Sequence, residues 1–586
     1  MDESSRKKTL LKQPDFLPMS RKEMDELGWD ELDFLFISGD AYVDHPSFAA
    51  ALLGRLLIEN GFRTGVITQP DWTDEKSIMI MGRPKLMVGI SAGALDSMLA
   101  AYTAFRKKRA KDAYTPGGLS GKRPNRAVLV YSHLVRKAFP AVPIVIGGIE
   151  ASLRRCVHYD FWENRLRRSI ILDAKADLLI YGMGERALLE TVTRLNSFSE
   201  KERSDRKFIR NSLTDIRGTV YFSDHIPCEE NTIEIPSFED IKADPSNLIK
   251  ASLTMEKLLH KNNDITAFQK TGDRILVYAP PASPLNTKEM DKLYSLPFRR
   301  FQHPSYTEPV PAASMIFSSI TSHRGCASGC TFCSLAVHQG RMLISRSSDS
   351  ILNEATKLIS HPDFKGHISD IGGPSANMWG AECTLPSHSD CKKPSCLHPV
   401  LCNHFKFDFQ KWLSMLKKVK ALNGVKSLRI SSGFRFDLAL KDKPSLIAFL
   451  SEFVGGQLKI APEHLSDKIL NLMRKPSSSL FEKFLSSFND CLQKAGKEQY
   501  VIPYLMSAFP GCTDNDMEFI QAWLSHKNWK PQQVQCFIPT PGTVASAMFY
   551  AERDTKGNKI FVAKTDAQRL RQHGFLLNKN TGKNNR

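Results

Sequence analysis

Residues 326–333 read CASGCTFC, which sets Cys326, Cys330 and Cys333 in a C-x3-C-x2-C spacing. Three thiolates so close in the chain can wrap one small inorganic group. A structural zinc ion takes four ligands in closed coordination, and disulfides use cysteines in pairs. A cubane four-iron cluster ordinarily takes four thiolates. Held by three, it leaves one iron open to another ligand. S-adenosylmethionine (SAM) can supply that ligand through its amino nitrogen and a carboxylate oxygen. One electron then cleaves the sulfonium C–S bond, giving methionine and a 5′-deoxyadenosyl radical that removes a hydrogen atom from a substrate. Gly325 and Gly329 relieve backbone crowding in so tight a loop. Phe332 offers an aromatic face just before the third cysteine. The competing reading is three ligands of a zinc site whose fourth lies elsewhere in the chain.

Seven of the twelve cysteines fall between 326 and 402. The other four of these are Cys383, Cys391, Cys396 and Cys402, with His388, His398 and His404 among them. Four thiolates suit a second iron–sulfur cluster or a structural zinc ion, and chance clustering in a loop is the third reading. Zinc would fold an insertion that has little apolar content of its own. The sequence leaves these three open. Cys156, Cys228, Cys491, Cys512 and Cys536 are scattered and read as small buried residues or free thiols.

Clustered reduced cysteines fit a cytoplasmic protein better than a secreted one. The opening MDESSRKKTLLKQPDF has no apolar core of a secretory signal, and no apolar run suits a membrane span. The expectation is a cytoplasmic chain with no membrane partner. The formal net charge of +18 keeps RNA among the candidate partners. The basic residues are nonetheless spread widely, and no RRM or KH signature is present.

The elements that must carry these residues fall into two alternating series. DFLFISGD, GVITQ, LMVGISAG, AVLVYS, PIVIGGIEAS and DLLIY read as short apolar strands, and 46–61 reads as a helix. This predicts a doubly wound α/β domain over residues 1–215, with ligands meeting the carboxyl ends of its strands. Those ends are rich in small residues, but no G-x-G-x-x-G follows the first strand, so a dinucleotide site is not indicated. Residues 216–310 read as a less regular linking or wrapping segment, in which YFSDHIP, NTIEIPS and RILVYAPPASPL look like short strands and Pro-rich connections. From 311 to 552, six strand–helix units are expected. Their strands are MIFSSIT, ISDIGG, SLRISSG, QLKIAPE, QYVIPYLMSAFPG and QVQCFIPTPG, and a Cys-rich insertion spans 381–404. Six such units suit a partial or full β/α barrel, whose catalytic groups gather at the strands' C-terminal ends. The cysteine triplet follows the first of these strands. The remainder, 553–586, reads as a basic polar tail ending in a disordered stretch.

The triplet and its setting resemble the radical SAM superfamily. Within it, the chain is similar to the YgiQ-like family along most of its length. The stretches that carry this are FLPMSRKEMDELGWDELDFLFISGDAYVDHPSF, VIGGIEASLRR, HRGCASGCTFCSLAVHQGR, IGGPSANMWG, LKIAPEH and AGKEQYVIPYLMSAFPG. The resemblance implies a doubly wound, cobalamin-binding-like N-terminal domain followed by a partial (β/α)6 radical SAM barrel. It implies a 4Fe–4S cluster on Cys326, Cys330 and Cys333, with SAM completing it. A one-electron reductant such as flavodoxin or ferredoxin is implied as well. Gly372 and Gly373 match the glycine motif whose backbone meets the SAM amino group, although Pro374 stands where many members have Glu. Arg435 is placed to meet the SAM carboxylate, and Glu463 its ribose or carboxylate. LKIAPEHLSDKILNLMRK, SAFPGCTDND and FIPTPGTVAS resemble strand-end segments of methylthiotransferase-like members, which keeps an RNA-modifying role open. A barrel kept as a metal-binding scaffold without catalysis is the remaining alternative. The cobalt-ligating D-x-H-x-x-G motif is missing, since Asp44 and His45 are adjacent with no glycine placed after them. On that ground cobalamin is not expected.

Overall fold

The computed structural model describes residues 11–227, 230–261, 264–531 and 533–577. Cys228 and the last nine residues, the end of the tail read as disordered, lie outside them.

The first half builds one nine-stranded sheet. Across it the strands run Thr64–Thr68, Phe34–Ser38, Met87–Ser91, Ile144–Gly147, Leu178–Ile180, Thr219–Ser223, Arg274–Tyr278, Thr266–Thr271 and Thr232–Ile235. The first five pair in parallel. FLFIS and MVGIS are buried at every position, as parallel strands covered on both faces must be. Three antiparallel pairings then extend the sheet through residues 219–278. Residues 219–278 thus belong to the first sheet rather than to an irregular wrapping segment. The strands expected in YFSDHIP, NTIEIPS and RILVYAPPASPL form as Thr219–Ser223, Thr232–Ile235 and Arg274–Tyr278, but the sheet edge they extend lies outside any local window of sequence.

Two sequence expectations change type. AVLVYS is the start of a helix, Ala127–Ala138. Its buried residues Ala127, Val128, Tyr131, Ser132, Leu134 and Val135 follow a helical stripe, which a six-residue window cannot separate from a strand. MIFSSIT divides: Pro311 opens the helix Pro311–Ile316, and only Ser319–Thr321 is strand.

The second half repeats strand and helix six times, with parallel pairings in sequence order. Ser319–Thr321 pairs with Asp370–Gly372. His367–Ile368 pairs with Ser427–Leu428. Phe434 bridges to Ile460, and Gln457–Glu463, Tyr500–Ser507 and Gln533–Cys536 form a three-stranded ladder. Amphipathic helices such as Ser348–Ile359 and Phe409–Lys420 bury one face against these strands.

Among the described residues, the tail contains a packed helix. Helix Asp566–Leu576 buries Arg569 and Gln572 completely. Gln572 accepts from Ala508 N at 3.0 Å and donates to Cys512 O at 2.9 Å. Its polar residues face backbone groups at strand ends, which is why composition misread it as solvated.

The two halves share one apolar core. Helix Gly148–Leu153, from the VIGGIEAS stretch, packs on helix Ser334–Gln339 just after the cysteine triplet. Arg324, two residues before Cys326, pairs with Glu185 at 2.6 Å. Among the described residues no helix is long and apolar enough to cross a membrane.

Candidate functional site

The cysteine triplet lies in a closed loop. His323–Arg324 and Ile344–Ser345 pair antiparallel and bracket it. Gly325 has φ +83° and Gly329 φ +62°, values that L side chains rarely adopt. A Cβ on Gly325 would strike Met342 O, and one on Gly329 would strike Pro394 O. The loop is therefore cinched against its own exit and against the Cys-rich insertion. Cys333 N donates to Cys330 O at 3.2 Å, and Cys333 then caps the helix Ser334–Gln339. Thr331 is pinned by Leu472 O and Met473 O. Burial pushes the Cys330 thiol up, and it pushes Cys333 up to about 12 with the charges of Cys330 and Cys326 adding to it. The three thiols are one electrostatic group. A thiol so unwilling to ionise alone needs a cation or a metal to hold its thiolate.

Cationic groups surround that group. Arg435 is buried and gives Nη1 to Ser328 Oγ at 3.0 Å, and Ser328 Oγ lies 3.3 Å from Cys326 Sγ. Its Nε and Nη2 grip Asp437 at 2.8 and 2.6 Å. Lys475 is buried, with Nζ 3.8 Å from Glu463 Oε1. Lys475 and Arg435 both favour the Cys330 thiolate. Glu463 ends the fourth strand at φ +72°, a strained backbone for a side-chain-bearing residue. Burial raises its carboxyl above the usual range.

Arg435 and Glu463 thus share the electrostatic surroundings of Cys330. Gly372 and Gly373 lie at the same strand ends, where the packing accounts for both. A Cβ on Gly372 would strike Ser432 Oγ, and one on Gly373 would come within 2.7 Å of His323 Cε1 and O. Sequence reasoning missed Ser328 and Lys475. Ser328 sat inside the motif as an x position. Lys475 closes the MRK run after the fourth unit's helix, a signal that reads equally as a helix C-terminus.

The second cysteine set is stitched to the first. Cys383 faces Phe405 in the short ladder Glu382–Cys383 with Phe405–Lys406. Phe405 N donates to Cys402 O, and Cys402 N to Cys396 O at 2.7 Å. Cys396 N donates to Ala327 O at 3.0 Å, and Ser395 Oγ to Ser328 O at 2.5 Å. Cys396 is pushed up to about 11 by burial, with the charges of Cys402, Cys391 and Cys383 adding to it. Among the described residues, no three His, Cys, Asp or Glu side chains are grouped to hold one metal ion.

A cavity of about 240 Å³ separates the triplet's helix from the first sheet. Gly93, Gly147, Gly148 and Gly182 line it from the strands' carboxyl ends, and Leu335 and His338 from the helix. His338 Nδ1 lies 3.0 Å from Ser152 Oγ. A wider groove of about 770 Å³ opens beside Lys475.

Comparison with known proteins places this geometry. Residues 16–319 match the family model described as Radical SAM N-terminal. A UPF0313 protein of Geobacter sulfurreducens is 43% identical over 566 residues, covering 96% of this chain and 92% of the relative. One of Thermotoga maritima is 42% identical over 578 residues, covering 97% of this chain and all of the relative. Among solved structures, the radical SAM methyltransferase TsrM of Kitasatospora setae, with cobalamin and a [4Fe-4S] cluster bound, aligns at TM-score 0.48. That alignment has 12% identity and covers 87% of this chain and 76% of TsrM. The cobalamin-dependent radical SAM enzyme OxsB, with aqua-cobalamin bound, aligns at TM-score 0.46 and 12% identity over 92% of this chain and 58% of OxsB. Both hold cobalamin, and this finding corrects the expectation, drawn from the missing D-x-H-x-x-G motif, that sets cobalamin aside. At these TM-scores the likeness assigns no ligand to this chain. The family match and the relatives, spanning nearly the whole chain, show that it belongs to the UPF0313 family, the YgiQ-like radical SAM proteins.

Proposed function

We propose that this chain is a radical SAM enzyme whose six strand–helix units form a partial barrel around the cysteine triplet. The observation that carries the reading is the triplet itself: three mutually interacting thiols in one glycine-shaped loop, with Arg435 and Lys475 beside them. Cys326, Cys330 and Cys333 would hold a 4Fe–4S cluster, leaving one coordination position for SAM. With both bound, the site supplies reductive cleavage of the SAM sulfonium to a 5′-deoxyadenosyl radical, the electron coming from a flavodoxin- or ferredoxin-type reductant.

The protein's own groups do the positioning. Arg435 fixes Ser328, and through it the Cys326 end of the loop. Because Asp437 already takes two of its nitrogens, we assign the SAM carboxylate to Lys475, whose nearest carboxylate is 3.8 Å away. Glu463 offers an acceptor for the ribose hydroxyls from the end of the fourth strand. The barrel-side groove sets Lys441, Lys443, Lys475 and Lys483 against Asp437, Asp467 and Asp490. That lining, which carries both signs of charge, suits a substrate of mixed charge better than a polyanion track, which calls for a one-signed basic surface.

Anaerobic reconstitution with iron and sulfide, followed by dithionite and SAM, tests the reading. Formation of 5′-deoxyadenosine is expected from the native chain and none from Cys330→Ala. A fully iron-loaded native chain that forms none would leave the metal-binding scaffold as the better account.

A further inference from the structure

We propose that Cys383, Cys391, Cys396 and Cys402 bind a second iron–sulfur cluster, with Arg341 as its buried counter-charge. The site goes beyond the radical SAM reading and does not depend on it.

The first observation is convergence. The four cysteines span 20 residues of chain, yet Cys396 and Cys402 pack in one apolar cluster together with Cys326 of the triplet. The ladder opposite Phe405 brings in Cys383, and the bond from Cys402 N to Cys396 O closes the turn between those two. Cys391 follows the short helix His388–Asp390, its N donating to His388 O.

The second observation is a buried cation without an anion. Arg341 is 8% exposed. Its Nη2 donates to Lys393 O at 2.7 Å, inside the insertion. Its Nε and Nη1 are buried and have no hydrogen-bond partner among the described residues. No carboxylate among the described residues forms an ion pair with it, and the charges that favour its cationic form are those of Cys396, then Glu256, then Cys391. A guanidinium taken out of water without a partner costs several kcal/mol by order of magnitude. An anionic group held by Cys391 and Cys396 would give this guanidinium a counter-charge. His260 repeats the pattern: it is 8% exposed, and neither ring nitrogen has a partner among the described residues. It sits on helix Ser246–Lys261, which packs against His388–Asp390.

The third observation chooses the occupant. Four thiolates on zinc would each lie about 2.3 Å from one point, and no such gathering is present among the described residues. An iron–sulfur core spreads its ligands over separate iron corners, and four thiolates are its ordinary complement. Its net negative charge with four thiolates matches the unpaired Arg341.

The test uses the full-length chain reconstituted anaerobically with iron and sulfide. Replacing Cys326, Cys330 and Cys333 together by Ala leaves only the second set. That variant is expected to keep iron and acid-labile sulfide in equal amounts, with an electron paramagnetic resonance signal after dithionite. A folded variant carrying zinc without sulfide, or no metal, would overturn the proposal. If it does not fold, the native chain is compared with Cys391→Ser/Cys396→Ser. A clear fall in iron per chain supports the second cluster, and equal iron overturns it. Arg341→Gln is expected to keep the iron and lower the second cluster's midpoint potential, because loss of a nearby positive charge disfavours reduction. An unchanged potential would remove Arg341 from the site.

Discussion

The two cysteine loops solve the same problem by different means. The triplet spans eight residues, and its shape is set locally, by spacing and by Gly325 and Gly329 in left-handed conformations. Its neighbouring cation, Arg435, already has a carboxylate in Asp437. The quartet spans 20 residues, and its shape is set from outside. Ala327 and Ser328 receive its backbone and side-chain bonds, and Arg341 reaches it from outside the insertion. A locally determined loop can be read from a motif. A loop assembled by distant partners shows its purpose only through the groups left unpaired around it.

Substitutions can break this contrast, and the largest effect falls on the triplet. Cys330→Ala is expected to abolish SAM cleavage while the quartet keeps its metal, as read by iron analysis and product formation. Gly329→Ala comes next. Forcing a Cβ at φ +62° against Pro394 O strains a backbone that both loops share, at a cost of about 1–3 kcal/mol. Iron should fall at both sets and the melting temperature should drop. Gly325→Ala should affect the triplet alone, since its clash is with Met342 O.

Lys475→Gln should keep iron loading and weaken SAM. Loss of one charge-assisted contact, about 1.5–3 kcal/mol, corresponds to about 10–100-fold in affinity. Titration of reconstituted protein with SAM reads it directly, and an unchanged affinity would return the carboxylate to Arg435.

Acidification separates the loops more finely. Burial lowers His338, beside the triplet, to about 4, and it lowers the half-buried His398 of the insertion as well. The folded chain keeps both neutral where the unfolded chain takes up protons near pH 6.5. Stability therefore falls as pH drops below 6.5, and for His338 it keeps falling to about pH 4. His338→Gln should flatten that slope in acid melts more than His398→Gln. The smallest effect is expected from Lys393→Ala. Its exposed side chain is not what binds Arg341; its carbonyl is. Stability should change by no more than about 0.5 kcal/mol, with iron at the quartet unaltered.

Much of this molecule was legible in its sequence because short-range physics fixed it. The strand DFLFIS, the helix read over 46–61 and the Gly-bounded strand ends carry strong periodicity or turn signals. AVLVYS was misleading because its apolar run was too short to show a period. Residues 216–278 were misleading because sheet extension depends on a neighbouring edge that no local window contains. The site followed the same rule. The cysteines were visible through their spacing. Lys475 and Arg341 were not, because a lysine after a helix and an arginine after HQG have no pattern of their own. Burial beside thiols singles them out.

The central claim is that three thiolates leave a position for SAM at the first loop. The most direct measurement is electron paramagnetic resonance of the reduced protein, in a variant with Cys383, Cys391, Cys396 and Cys402 all changed to Ser, recorded with and without SAM. A signal that changes shape on adding SAM is the expected result. A fully loaded, reduced cluster whose signal is indifferent to saturating SAM would contradict the account.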